Sequence, residues 1–120
     1  MNPTTTLNPT VTDGVTVLRI VGPLTQEGVE PIRAAFDEAT AGAPGASGRV
    51  VIDLTDVPMM TTPGISMLLK AAGRVRDAGG RLVVAGANGI VDDLLRRCRL
   101  DTVLHAVSDL GEAVRVAREG

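Results

Sequence analysis

Aromatic side chains are nearly missing from this 120-residue chain, which has one Phe and neither Trp nor Tyr. A single-stranded nucleic acid therefore finds no stacking platform. Excess positive charge is missing too. Twelve Lys and Arg stand against fourteen Asp and Glu, a formal net charge of −2, which argues against general attraction to a phosphate backbone. Cys98 is alone, so neither an intramolecular disulfide nor a Cys-rich zinc site can form, and its place in an apolar helical pattern predicts a buried thiol. His105, also alone, sits among Val103, Leu104 and Val107 and reads as structural rather than catalytic. There is no Ser-His-Asp set, no metal-ligand spacing and no Walker-type loop, and Gly86-Ala87-Asn88-Gly89 is too short a signal for nucleotide binding. The expectation is a protein that is not an enzyme and uses no cofactor or metal. No apolar run approaches a membrane span, and Met1 to Val11, rich in Thr, Asn and Pro, lacks the basic start and apolar stretch of a secretory signal. A cytoplasmic location without membrane insertion is expected.

What is present supports one domain with one core, since a second would be too small to bury enough surface. Residues 1–12 read as a flexible leader and 13–120 as the domain, entered through the Asp13-Gly14 turn signal. Val15 to Val21 reads as the first strand. A helix follows Thr25, its inner face marked by Val29, Ile32, Phe36 and Ala39, with Pro31 tolerable only in the first turn. Gly42 to Gly48 reads as a loop. Further strands are expected at Arg49 to Leu54, Arg81 to Ala85 and Thr102 to Ala106. Asn88 reads as the cap of a helix containing Ile90, Val91, Leu94, Leu95 and Cys98, and Asp109 with Glu112 as a capping box for a last helix. Strands alternating with helices predict an α/β fold with a mixed central sheet, parallel pairs at its centre, packed by helices.

The richest stretch runs from Val50 to Ser66. An apolar, β-branched strand gives way to a polar loop, and from Ile65 the period becomes helical through Leu68, Leu69, Ala72 and Val75. Thr62 reads as the N-cap, Pro63 as the first helical residue, and Gly64 as leaving the backbone amides approachable. Such a terminus suits an anion, including a phosphate carried on Thr62 or Thr61. Capping alone also accounts for Thr62, and an ordinary loop role for Thr61. Asp53 and Asp56, with no His beside them, read as serving turn geometry. Arg96, Arg97 and Arg99 read as a solvated helix face, with partner contact second.

The order strand, Asp, short hydroxyl-bearing loop, Gly and amphipathic helix resembles the STAS domain, named for sulphate transporters and anti-sigma factor antagonists. The resemblance extends from Val15 onward, through Gly22-Pro23-Leu24, the strand at Arg81 to Gly86 with Asn88 after it, and Ser108-Asp109-Leu110-Gly111-Glu112-Ala113. It implies a single STAS-like domain. Phosphorylatable antagonists carry Asp-Ser-Ser-Gly at this loop, and the second Ser takes phosphate from a partner kinase that doubles as the anti-sigma factor. The matching residues are Thr61, Thr62, Pro63 and Gly64, so the usual acceptor position is Pro63, which has no hydroxyl. Thr25 stands where antagonists commonly carry an Asp after Gly-x-Leu.

The resemblance thus implies a bacterial protein-binding module that sequesters a kinase-type anti-sigma factor, or a related signalling protein, and so regulates transcription. Thr25, Thr61, Thr62, Pro63, Gly64 and Ser66 are the expected partner-binding residues. Thr62 is the first candidate phosphoacceptor and Thr61 the second. The alternative is a non-phosphorylatable STAS adaptor in a signalling scaffold or a membrane-transport assembly; a small-molecule-binding protein or enzyme comes third.

Overall fold

The structure, a computed structural model, describes residues 4–41 and 48–119. Most of the loop expected at Gly42 to Gly48 lies outside them.

Residues 6–12 of the segment read as a flexible leader form a strand instead. β1 (Thr6–Thr12) pairs antiparallel with β2 (Val15–Val21), and Thr12 faces Val15 across the two-residue turn Asp13-Gly14. Both turn residues have positive φ, 52° and 78°, as a tight hairpin with right-handed strand twist requires. β1 has no alternating apolar signal because it lies at the sheet edge, with Leu7 half-buried and its other residues exposed. An edge also tolerates Pro9.

β3 (Arg49–Asp56), β4 (Arg81–Ala85) and β5 (Ala106–Val107) continue the sheet in the order β1-β2-β3-β4-β5, and every pairing after the first is parallel. Parallel neighbours need crossovers, and the helices supply them. The expected helix after Thr25 is two: α1 (Gln26–Val29) and α2 (Arg33–Thr40). Pro31 falls between them, where its missing N–H and ring interrupt the ladder. The chain bridges the break by Ile32 N–H donating to the Val29 carbonyl at 3.2 Å and Phe36 N–H to the Ile32 carbonyl at 2.9 Å. Val29, Ile32 and Phe36 still reach the core.

α3 (Thr62–Asp77) buries Gly64, Met67, Leu68, Ala71 and Val75, a face rotated from the expected one so that Leu69 is partly exposed. In α4 (Gly89–Arg97) only Val91 and Leu95 are fully buried. Cys98, expected inside, is the C-cap and is exposed. The stretch expected as a strand from Thr102 to Ala106 instead begins in α5 (Leu100–Val103) and turns at Leu104 and His105, so that β5 starts only at Ala106. α6 (Leu110–Glu119) begins as expected: Glu112 N–H donates to Asp109 Oδ2 at 3.2 Å.

The period-two alternation of the strands separates two apolar layers. Leu18, Ile20, Ile52, Leu54 and Val84 face α1 to α5, packing with Phe36, Leu68, Val75 and Leu95. Val15, Val17, Val51, Val83 and Ala85 face α6, meeting Ala113, Val114 and Ala117. This is the expected α/β architecture.

Candidate functional site

After β2 and β3 the chain runs into two loops that become one corner. Leu24 and Met60 form an isolated parallel bridge: Leu24 N–H donates to the Met59 carbonyl at 3.0 Å, and Thr61 N–H to the Leu24 carbonyl at 3.2 Å. These bonds set Thr25, the N-cap of α1, beside Thr61, the N-cap of α3. Thr25 caps through its side chain, its Oγ1 accepting from Gly28 N–H at 3.3 Å.

The α3 terminus differs from the sequence reading. Thr61 is the N-cap, extended at φ −123°, and Thr62 is the first helical residue with Pro63 second. No side-chain hydroxyl caps this helix. The amides of Gly64 and Ile65 are not open either, since both donate to the Thr61 carbonyl, at 2.9 and 3.1 Å. With Pro63 lacking an N–H, Thr62 has the one amide of this turn without a backbone partner among the described residues. The anion cradle expected here is therefore small, although the helix dipole remains.

Thr61 and Thr62 are exposed, and Thr25, Pro63 and Ser66 are half-buried. Gly64 differs: it is buried, and a Cβ on it would lie 2.5 Å from the Leu24 carbonyl oxygen and 2.9 Å from Met60 Cγ. Having no side chain, it lets α3 approach the first loop. The five surface members form an uncharged hydroxyl-bearing patch.

The sequence reading missed what flanks that patch. A groove of about 490 Å³ adjoins it, lined by Thr5, Pro23, Thr25, Glu27, Pro58 and Met59 among others. Thr5 anchors this side, its buried hydroxyl donating to the Pro23 carbonyl at 2.6 Å. Met59, 42% exposed between prolyl and apolar neighbours, was the available sequence signal. On the other side a smaller hollow of about 270 Å³ lies between α2 and α3 at Arg33, Asp37, Pro63, Ser66 and Lys70.

Other singled-out residues are accounted for locally. Asp53, only 5% exposed, accepts from Thr55 N–H at 3.0 Å and Thr55 Oγ1 at 2.6 Å, which fits the expected turn role. Asn88 is the N-cap of α4, as expected, its carbonyl accepting from Val91 N–H at 3.1 Å, while its side chain makes no cap bond. Its Nδ2 donates to the Gly86 and Thr55 carbonyls, at 2.9 and 3.2 Å, tying the ends of β3 and β4. Asp56 pairs with Arg19, whose pKa is pushed up first by that hydrogen bond and then by the carboxylate's charge. Arg96 and Arg97 pair one helical turn back with Asp92 and Asp93, at 3.0 and 2.9 Å, on an exposed face as expected. His105 is exposed rather than packed among its apolar neighbours. Among the described residues no group of three or more His, Cys, Asp or Glu comes together, and no helix is long and apolar enough to cross a membrane.

The family profile described as the STAS domain matches residues 6–113. The chain belongs to the STAS domain family. That match begins at β1, in agreement with the strand found there. No curated protein matches the chain in sequence. Among solved structures, this STAS domain is similar to an anti-sigma factor antagonist from Mycobacterium paratuberculosis, at 19% identity and a TM-score of 0.85, with 98% of this chain and 99% of that chain covered. It is similar to the Bacillus cell fate determinant SpoIIAA in its phosphorylated form, at 20% identity and a TM-score of 0.68, covering 92% and 99%. It also resembles part of the murine solute carrier 26 member A9 anion transporter, at 15% identity and a TM-score of 0.76, covering 98% of this chain and 22% of the transporter. At these identities the likeness shows a shared fold, one used by antagonists and by a transporter alike.

Proposed function

We propose that this STAS domain is a protein-binding module of the anti-sigma factor antagonist kind. It docks a kinase-type anti-sigma factor in the cytoplasm through Thr25, Thr61, Thr62, Pro63 and Ser66, with Gly64 supporting them from beneath. Occupying that factor would release its sigma factor and shift transcription by competition, without catalysis. The observation that carries this reading is the Leu24–Met60 bridge, which joins two loops distant in sequence into one exposed, uncharged surface. Similarity to the antagonist folds supports the same kind of protein.

Thr62 is the first phosphoacceptor and Thr61 the second. Thr62 is exposed and its hydroxyl makes no capping bond, so modification costs the fold little. A phosphate would bring roughly −1.5 to −2 charge onto a neutral contact surface and oppose docking. A second reading, the unswitched adaptor in a scaffold or transport assembly, is favoured by Pro63 at the family's acceptor position and by the similarity to the transporter domain.

Capture of the tagged chain from its native host, with mass spectrometry of bound proteins and of Thr61 and Thr62, separates the two. A kinase-type anti-sigma factor together with a phosphorylated threonine pool is expected. A transporter or scaffold subunit with no phosphate overturns the switch and favours the adaptor.

A further inference from the structure

The hollow of about 270 Å³ between α2 and α3 is lined by Arg33, Asp37, Pro63, Ser66, Met67 and Lys70. Pro63 and Ser66 also belong to the corner, so the two surfaces are continuous. Thr62, Ser66 and Lys70 follow one another at four-residue spacing, which sets them on one stripe of α3.

Charges along the seam between the two helices are matched at one level and unmatched at the next. Arg74 Nη2 donates to Asp37 Oδ1 at 3.1 Å and to Thr40 Oγ1 at 2.7 Å, tying α3 to α2. One turn earlier on each helix stand Arg33 and Lys70, both exposed, two cations in the walls of one hollow. Asp37, the one carboxylate of the lining, is already engaged by Arg74. Arg33 has only Glu30, 3.8 Å away on its own side of the seam and mostly in water. Lys70 forms no ion pair and the Ser66 hydroxyl no hydrogen bond among the described residues. Like charges brought together are unfavourable, and an anion between them relieves the repulsion. The chain as a whole carries a formal −2, so this positive hollow runs against its overall charge.

We infer that the hollow receives an Asp or Glu side chain of the protein docked at the corner; the inference rests on the docking role proposed above. The carboxylate accepts charge-assisted hydrogen bonds from the Lys70 ammonium and the Arg33 guanidinium, and one from the Ser66 hydroxyl. It also gives a phosphate on Thr62 something to repel. A carboxylate held at Ser66 lies one turn from Thr62, about 6 Å along the axis and inside the roughly 8 Å over which salt leaves charges coupled.

Lys70 is the only lysine of the chain, which makes the test specific. A carbodiimide joins a carboxylate to an amine at contact distance with loss of water, so treatment of the complex between the full chain and its captured partner, followed by peptide mass spectrometry, reads the proposed contact directly. A cross-link from Lys70 to an Asp or Glu of the partner is expected. Lys70→Glu and Arg33→Glu are each expected to weaken partner binding by about tenfold or more at fixed ionic strength. Lys70→Glu is at the same time expected to leave Tm unchanged or raised, since it sets opposite charges across the seam, which separates a binding loss from a folding loss. Either the absence of a Lys70 cross-link or wild-type affinity in both reversals overturns the inference and leaves the corner standing. Failure of the chain to capture any protein overturns the corner reading, and this inference with it.

Discussion

Gly64 has no room for a methyl group, and the atom it would strike first is backbone. With the Leu24 carbonyl oxygen 2.5 Å from the added Cβ, and that oxygen held by Thr61 N–H, relief requires separating the two loops. Gly64→Ala is therefore expected to destabilise by about 1–3 kcal/mol, as overpacking does. In thermal unfolding this is a fall of several degrees in Tm, together with loss of partner binding; an unchanged Tm would mean the corner is looser than described. The two helix starts give a sharper contrast. Asp109 makes a side-chain cap bond and Thr62 makes none. Asp109→Ala should cost about 1 kcal/mol in chemical denaturation, and Thr62→Ala less than about 0.5 kcal/mol. The sequence pointed to a hydroxyl cap at α3 because Thr-Pro-Gly is a strong start signal, but adjacent threonines do not say which one is the cap. The register came from the Thr61 amide bonding across to Leu24, thirty-seven positions away, and no local pattern encodes that.

At the scale of elements, β1 is the finding a sequence pattern does not reach. β2, β3, β4 and α6 were legible because each buries at least one side, and burial imposes a period. β1 is exposed along nearly all its length and its order comes from backbone pairing with β2, so its residues are free to be Thr, Asn and Pro. Deletion of residues 1–12 distinguishes strand from leader. Removal of a leader would leave Tm unchanged. Removal of β1 strips Thr5 from Pro23, uncovers the edge of β2, and is expected to lower Tm and promote association through that edge, measurable by calorimetry and light scattering. α1 and α2 teach the complementary lesson: the apolar spacing found the right core residues, Val29, Ile32 and Phe36, while Pro31 decided that two helices would carry them. The short α5 and β5 were misread because the β-branched and apolar residues from Thr102 to Ala106 fit a strand and a short helical turn equally well.

For the molecule as a whole, parallel pairing has a directional consequence. Loops after β2 and β3 emerge at the same end of the sheet, and there Leu24 and Met60 join them. The sequence supplied the residues of the corner separately, and the parallel topology supplied their adjacency. The exposed ion pairs, Arg19 with Asp56 and the two pairs on α4, contribute little to stability. Arg19, its pKa raised, stays charged below and throughout the neutral range. Its pairing is thus lost through its own titration only in strong alkali, and no pH switch near neutrality arises from it. Control of this molecule is instead expected to come from charge added to its neutral surface. The most direct test is the affinity of the protein partner captured by this chain for the wild type, Thr62→Ala and Thr62→Asp, compared at one ionic strength. The account predicts that Thr62→Ala binds as the wild type does and Thr62→Asp binds at least about tenfold more weakly. Equal affinity for all three would contradict a corner that docks its partner through Thr62 and releases it on gaining charge.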